Sequence, residues 1–309
     1  MSIAIICTNK EPSPWLAALR EQDPTLDLQV WPDEVAKQEV TFALCWKHPP
    51  GALREYPNLR CICSMGAGVD HLLADPELPA NIPVVRLVDP KLSQAMFEYV
   101  STVTLMYYRG LDVYREQQAQ KRWLQQPQKE MRDLTVGVMG LGELGGDTAQ
   151  RLAGLGFNVI GWSRSPKQLE SVESFAGEQQ LPQFLQRTNV LVCLLPLTSD
   201  TRGILNSQLF NLLPDGACLI NVARGPHLVG EDLLEALDKG KLRIAYLDVF
   251  EQEPLPQQHP FWVHPKIMVT PHCSSITDPK SVAPQIIENY RRTENGAPLL
   301  HQIDIELGY

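Results

Sequence analysis

Three observations predict an α/β protein built on two doubly wound parallel sheets. Short apolar runs alternate with helical stretches along the whole chain. The later runs are nearly continuous in apolar residues, as strands covered by helices on both faces must be. The length, 309 residues, accommodates two domains of about 150 residues each.

The first series of runs places strands at Ile3–Cys7, Phe42–Cys45, Arg60–Cys63 and Val84–Leu87, with a helix over Pro14–Glu21. Apolar residues at helical spacing, among them Met96, Tyr99, Val103, Met106 and Leu111, predict one long helix from Ser93 to about Arg115. A Gln-rich polar stretch, Glu116 to Arg132, then reads as a boundary between two units. The second series predicts six strands: Leu134–Met139, Val159–Trp162, Val190–Leu195, Ala217–Val222, Ile244–Val249 and Ile267–Thr270. Helices over Gly146–Gly154 and Glu231–Lys239 lie among them. A last helix, about Ser281–Glu294, precedes a strand-like tail, His301–Leu307.

The net charge of -9, without any basic stretch to neutralise phosphates, argues against general nucleic-acid binding. An anion site would have to be built locally from arginine, lysine or backbone N–H groups. The 7 cysteines include no CxxC pair, and Cys61 and Cys63 are too close for a zinc half-site. No metal is therefore expected, and the thiols read as reduced groups of a cytosolic protein. The start, Met1-Ser-Ile-Ala-Ile-Ile-Cys7, lacks a basic region and reads as a first strand instead of a signal peptide. No apolar run approaches the roughly 20 residues of a membrane helix, so a soluble, cytoplasmic protein without membrane partners is expected.

The segment Gly140-Leu141-Gly142-Glu143-Leu144-Gly145 follows a strand and opens a helix with G-x-G-x-x-G spacing. Gly140 is suited to the tight turn, Gly142 to close approach of a pyrophosphate and Gly145 to helix–strand packing. The helix N-terminus would face the phosphates with unpaired N–H groups. This is a Rossmann-like dinucleotide loop.

The end of the next strand bears on cofactor choice. A carboxylate there would take the ribose hydroxyls of NAD. The chain instead reads Trp162-Ser163-Arg164-Ser165-Pro166-Lys167, with no Asp or Glu between Asp147 and Glu170. Two hydroxyls, a guanidinium and an ammonium offer donors to a 2′-phosphate. NADP(H) is expected over NAD(H); the alternative is that Arg164 is a solvated loop charge.

Three polar residues follow late strands, where open α/β sheets bind ligands. They are Arg224 in Ile220-Asn-Val-Ala-Arg224-Gly, Glu253 in Asp248-Val-Phe-Glu-Gln-Glu253-Pro, and His272 in Val269-Thr-Pro-His272. Each alone has a structural alternative. Together, behind a dinucleotide loop, they form the set that keto-acid reduction requires: a cation for the carboxylate and carbonyl, an acid for the oxygen, and a carboxylate to orient that acid.

The chain resembles the D-2-hydroxy-acid dehydrogenase family, most closely its glyoxylate/hydroxypyruvate reductase A type. The resemblance is carried by Ser64-Met-Gly-Ala-Gly-Val-Asp70, the glycine loop, Leu195-Pro-Leu-Thr198, Asn221-Val-Ala-Arg224-Gly, Leu247-Asp-Val-Phe250, Glu253-Pro-Leu-Pro and Thr270-Pro-His272. It implies NADPH-dependent reduction of small 2-keto acids to 2-hydroxy acids. Arg224 would bind and polarise substrate, His272 would be the acid/base and Glu253 its support. Backbone N–H groups around Ala67 and Gly68 would receive the substrate carboxylate, and Asp248 the nicotinamide carboxamide. Leu195, Pro196 and Val222 would line the cofactor cleft. The resemblance further implies a discontinuous substrate domain, 1–98 plus 281–309, a cofactor domain, 99–280, and a homodimer formed through the latter. Trp46 matches a position where the reductase A type places an aromatic near small substrates; an ordinary core tryptophan is the alternative. Cys273-Ser274-Ser275 departs from the small apolar residues more usual in the family.

Two other functions are compatible with these motifs. One is a dinucleotide-sensing interaction protein of the same fold, against which stands the absence of an added module or long tail. The other is an NAD-linked oxidative dehydrogenase, which would need an acid after Ile160 where none occurs.

Overall fold

Five parallel strands form the sheet of the N-terminal part of the chain: β1 (Ser2–Cys7), β2 (Leu28–Val30), β3 (Val40–Trp46), β4 (Cys61–Ser64) and β5 (Val84–Val85). Their order is β2-β1-β3-β4-β5, a doubly wound arrangement. Alternation within β1 and β3 explains how both faces are filled. Ile3, Ile5, Phe42 and Leu44 pack with Trp15 and Leu19 of helix Ser13–Gln22 and with Val282, Ala283 and Ile286 of helix Pro279–Asn295. Ala4, Ile6, Ala43 and Cys45 face Leu53, Tyr56 and Leu72 on the other side. Burying each large side chain of this kind contributes about 1.5–3 kcal/mol.

The second sheet has seven parallel strands: β6 (Thr135–Met139), β7 (Asn158–Ser163), β8 (Glu173–Ala176), β9 (Val190–Cys193), β10 (Ala217–Asn221), β11 (Leu242–Leu247) and β12 (Ile267–Val269). The order β12-β11-β10-β9-β6-β7-β8 is that of a Rossmann sheet with one further strand. Strand order reverses between β6 and β9, and such a switch point is where dinucleotides bind.

The computed structural model describes residues 1–33, 36–127 and 130–309. They form two compact units, Met1–Lys91 with Thr277–Tyr309, and Leu92–Ile276. The expected limits after residue 98 and before residue 281 fall inside the helices Pro90–Tyr108 and Pro279–Asn295. The units part near the start of each helix instead, at Lys91/Leu92 and Ile276/Thr277.

Several expectations need correction. The polar stretch 116–132 lies within the second unit and does not divide the two; Gln128 and Lys129 in it are outside the described residues. The long helix is two, Pro90–Tyr108 and Leu111–Ala119, interrupted where Gly110 takes φ +64°. The tail forms no strand of its own, only an antiparallel bridge between Val85 and Gln302, after which the Asp304 carboxylate accepts the N–H groups of Glu306 and Leu307 and turns the chain. β8 was not foreseen because its Glu-Ser-Phe-Ala sequence buries only Phe175. Among the described residues no helix is long and apolar enough to cross a membrane.

Candidate active site

β6 runs directly into the glycine loop, and Gly142 caps helix Glu143–Gly154. Gly140 takes φ +98°, and its N–H donates to the carbonyl of Trp162 at 2.8 Å, tying the loop to the end of β7. A Cβ at position 145 would lie 1.8 Å from the Gly140 carbonyl oxygen, so helix and loop approach too closely for any side chain. At Gly142 the same test meets open space. That cradle suits a pyrophosphate: nothing in the protein fills the position where the backbone must be approached. Gly142 and Glu143 are exposed, Leu144 is half-buried, and Leu141 is buried, packed against Gly161.

Past β7 the expected 2′-phosphate residues divide. The Trp162 indole is buried in the core and donates to the Gly177 carbonyl at 2.8 Å. The Ser163 hydroxyl is buried and donates to the Ser165 carbonyl at 2.8 Å, so its proton is already used. Both shape the turn. Arg164, Ser165 and Lys167 are exposed; the two cations and the hydroxyl are the donors a phosphate needs.

Across the switch point, Leu195 and Val222 are buried and Pro196 is half-buried. β10 ends at Asn221, whose side chain donates to the Arg224 carbonyl at 3.1 Å and accepts from the Ala223 N–H at 3.3 Å. The half-buried Arg224 donates from Nη1 to the Ala223 carbonyl at 2.7 Å. His227, fully buried, places its ring nitrogens 3.1 Å from the Arg224 carbonyl and 3.3 Å from the Pro196 carbonyl, joining the two loops. The sequence reading missed His227. Its partners are main-chain oxygens, which leave no mark in a motif.

After β11 and β12 the remaining members meet. The Glu253 carboxylate lies 2.9 and 3.1 Å from Nδ1 of His272 and also accepts the Phe250 N–H at 3.1 Å. Both side chains are partly exposed, 33% for His272 and 23% for Glu253, so the pair is held by the protein yet open to a ligand. His272 adopts φ +51°, a left-handed conformation that costs a non-glycine residue on the order of 1–3 kcal/mol.

Asp248 holds that turn. It is fully buried, and its carboxylate accepts the Thr270 hydroxyl at 2.6 Å and the N–H groups of Cys273 and Ser274, each at 2.9 Å. Its carbonyl accepts the His272 N–H at 2.9 Å. The resemblance assigns Asp248 to the nicotinamide carboxamide; here both of its oxygens are engaged by the His272 loop.

In the first unit, the half-buried Trp46 ends β3. The Lys10 ammonium lies over its ring, 3.7 Å from the centroid, and the His71 ring is 4.6 Å away. At the end of β4 the Ser64 hydroxyl donates to the Gly68 carbonyl at 2.7 Å and accepts the Gly66 N–H at 3.1 Å. This folds the chain so that Ala67 and Gly68 lie partly exposed at the carboxyl end of the sheet.

The fold and the second unit's residues define a dinucleotide-dependent oxidoreductase. The family model for the D-isomer specific 2-hydroxyacid dehydrogenase NAD binding domain matches residues 101–274, and the chain belongs to that family. It is 43% identical over 301 residues to glyoxylate/hydroxypyruvate reductase A of Serratia proteamaculans (strain 568), covering 96% of each chain. Identity to the protein of that name from Yersinia enterocolitica is 41% over 304 residues, 97% of each. Among solved structures, the complex of a D-isomer specific 2-hydroxyacid dehydrogenase from Xanthobacter autotrophicus Py2 with NADPH and MES matches with TM-score 0.95 and 42% identity, covering 100% of this chain and 99% of that one. The NADPH-dependent glyoxylate/hydroxypyruvate reductase of Sinorhizobium meliloti, bound to NADP and sulfate, matches with TM-score 0.92 and 39% identity, covering 100% of both.

Proposed function

We propose that the protein is an NADPH-dependent reductase of small 2-keto acids, glyoxylate and hydroxypyruvate among them. The observation that carries the reading is the His272–Glu253 pair in the unit that holds the glycine loop, in a chain matching reductases of this kind over nearly its whole length.

The glycine loop would hold the pyrophosphate, Arg164 and Lys167 the 2′-phosphate, and Leu195, Pro196 and Val222 the walls of the cleft. Bound NADPH supplies the hydride. Arg224 holds the substrate carboxylate and polarises the keto group. His272, oriented through Nδ1 by Glu253, gives a proton from Nε2 to the carbonyl oxygen as it gains negative charge. The backbone N–H groups of Ala67 and Gly68 add donors for the carboxylate, and Trp46 restricts the size of the acid. The enzyme acts in the cytoplasm as a homodimer formed through its cofactor unit, and NADH serves as a poorer donor.

The test is the near-ultraviolet absorbance of the reduced cofactor, with glyoxylate or hydroxypyruvate and NADPH or NADH in parallel. Fast oxidation of NADPH and slow oxidation of NADH are expected. Binding of NADPH without oxidation across a panel of 2-keto acids would overturn the reading.

A further inference from the structure

The turn that presents His272 is anchored beyond Asp248, on a helix distant in sequence. The Thr270 hydroxyl donates its single proton to Oδ1 of Asp248 at 2.6 Å. It also lies 2.7 Å from the hydroxyl of Tyr99. Since that one proton is committed to a carboxylate, Thr270 can only accept at the second contact, and Tyr99 must donate. Burial pushes the Tyr99 phenol up to about 12, so it keeps the proton it donates throughout the neutral range. The direction is thus determined: Tyr99 to Thr270 to Asp248, whose oxygens also collect the N–H groups of Cys273 and Ser274.

His272 lies inside this chain of donors. Thr270 is two residues before it and Cys273 directly after it, and both bind the same buried carboxylate. A residue at φ +51° has no backbone preference of its own to keep it there, so the surrounding bonds set where the imidazole points. Each hydroxyl in such a relay polarises the next, strengthening the bond to the carboxylate in a low-dielectric interior. Tyr99 belongs to helix Pro90–Tyr108 and is no part of the glycine loop or of the Arg224, Glu253 and His272 set.

We propose that Tyr99 is a positioning residue for the reduction, holding the His272 turn through Thr270 and Asp248. The proposal rests on the acid/base reading of His272 given above. Removing the phenolic oxygen leaves the ring and its packing in place but takes away the donor at the head of the relay. The imidazole then drifts from the line of proton transfer, while cofactor binding is untouched.

The experiment uses the full-length enzyme and compares Tyr99→Phe, Thr270→Val, the double variant and Thr270→Ser in steady-state reduction of glyoxylate with NADPH. Binding of NADPH, followed by its fluorescence, reports that each variant is folded. Tyr99→Phe is expected to lower kcat roughly 10- to 100-fold, as a small misplacement of a reacting group does, with KM for NADPH unchanged. Thr270→Val should lose a similar factor, and the double variant should lose no more than the worse single one, because both break the same relay. Thr270→Ser, which keeps the hydroxyl, should recover most of the activity lost in Thr270→Val. A Tyr99→Phe enzyme with wild-type kcat beside a crippled His272→Gln enzyme would overturn the proposal alone. So would losses that multiply in the double variant. A fully active His272→Gln enzyme would instead remove the reading on which the proposal rests.

Discussion

Nδ1 of His272 faces the Glu253 carboxylate 2.9 Å away, which leaves Nε2 as the edge of the ring that can meet a reacting oxygen. Under the proposed mechanism, His272→Gln should lower kcat by about 100- to 10,000-fold, since glutamine cannot deliver a proton. NADPH affinity should stay at the wild-type value, and a turnover assay beside a cofactor titration separates the two. Unchanged turnover would remove His272 from its role.

Arg164 is exposed at the end of β7, and a charge-assisted bond to a phosphate is worth about 1.5–3 kcal/mol. Arg164→Asp should therefore raise KM for NADPH by roughly 10- to 100-fold and leave KM for NADH nearly unaltered. Equal losses with both cofactors would show that Arg164 does not read the 2′-phosphate.

Two glycines of the loop should fail in different ways when given a methyl group. Gly145→Ala would drive a carbon to within 1.8 Å of a carbonyl oxygen and is expected to abolish the native fold, seen as loss of a cooperative thermal transition. Gly142→Ala meets no protein atom within 4 Å, so its Tm should match wild type while NADPH binding weakens. A Gly142→Ala protein with full NADPH affinity would refute the pyrophosphate cradle.

In the first unit, Asp75 accepts the Glu77 N–H at 2.8 Å and the Gly51 N–H at 3.1 Å, and meets Nε2 of His48 at 3.0 Å. Burial pushes its carboxyl up, but the bonds from Glu77, Gly51 and His48 outweigh burial and bring the pKa below the usual carboxylate value. A depressed carboxylate stabilises the fold fully above the unfolded-chain pKa of about 4 and loses that contribution as pH falls through the lower folded value. Asp75→Asn should lower Tm at neutral pH and flatten the fall of Tm below about pH 4. An acid limb as steep as wild type would show that Asp75 is not its source.

What the sequence made legible follows from the range of each constraint. The glycine loop could be read because its demands act within six residues, and a carbonyl oxygen at 1.8 Å permits only one residue type at position 145. The placement of Arg224, Glu253 and His272 could be read because each follows a strand end, and strand ends are where this kind of sheet binds ligands. The pairing of His272 with Glu253 spans 19 positions yet was inferable from chemistry. The contact of Tyr99 with Thr270 spans 171 and was not. Nothing near Tyr99 in the chain distinguishes it from the other apolar positions of its helix. β8 escaped notice for the opposite reason: an edge strand with one buried residue carries almost no apolar pattern.

The first unit is assembled from two stretches of chain separated by the whole of the second. Val282, Ala283, Ile286 and Ile287 fill the face of its sheet beside Ile3, Leu19 and Phe42. During synthesis, those early strands leave the ribosome long before the helix that covers them exists. The second unit can close as soon as its last strand emerges, whereas the first must wait with a bare apolar face. The usual order, in which the N-terminal domain is completed first, is therefore not open to this unit, whose core lacks Val282, Ala283, Ile286 and Ile287 until Pro279–Asn295 has been made.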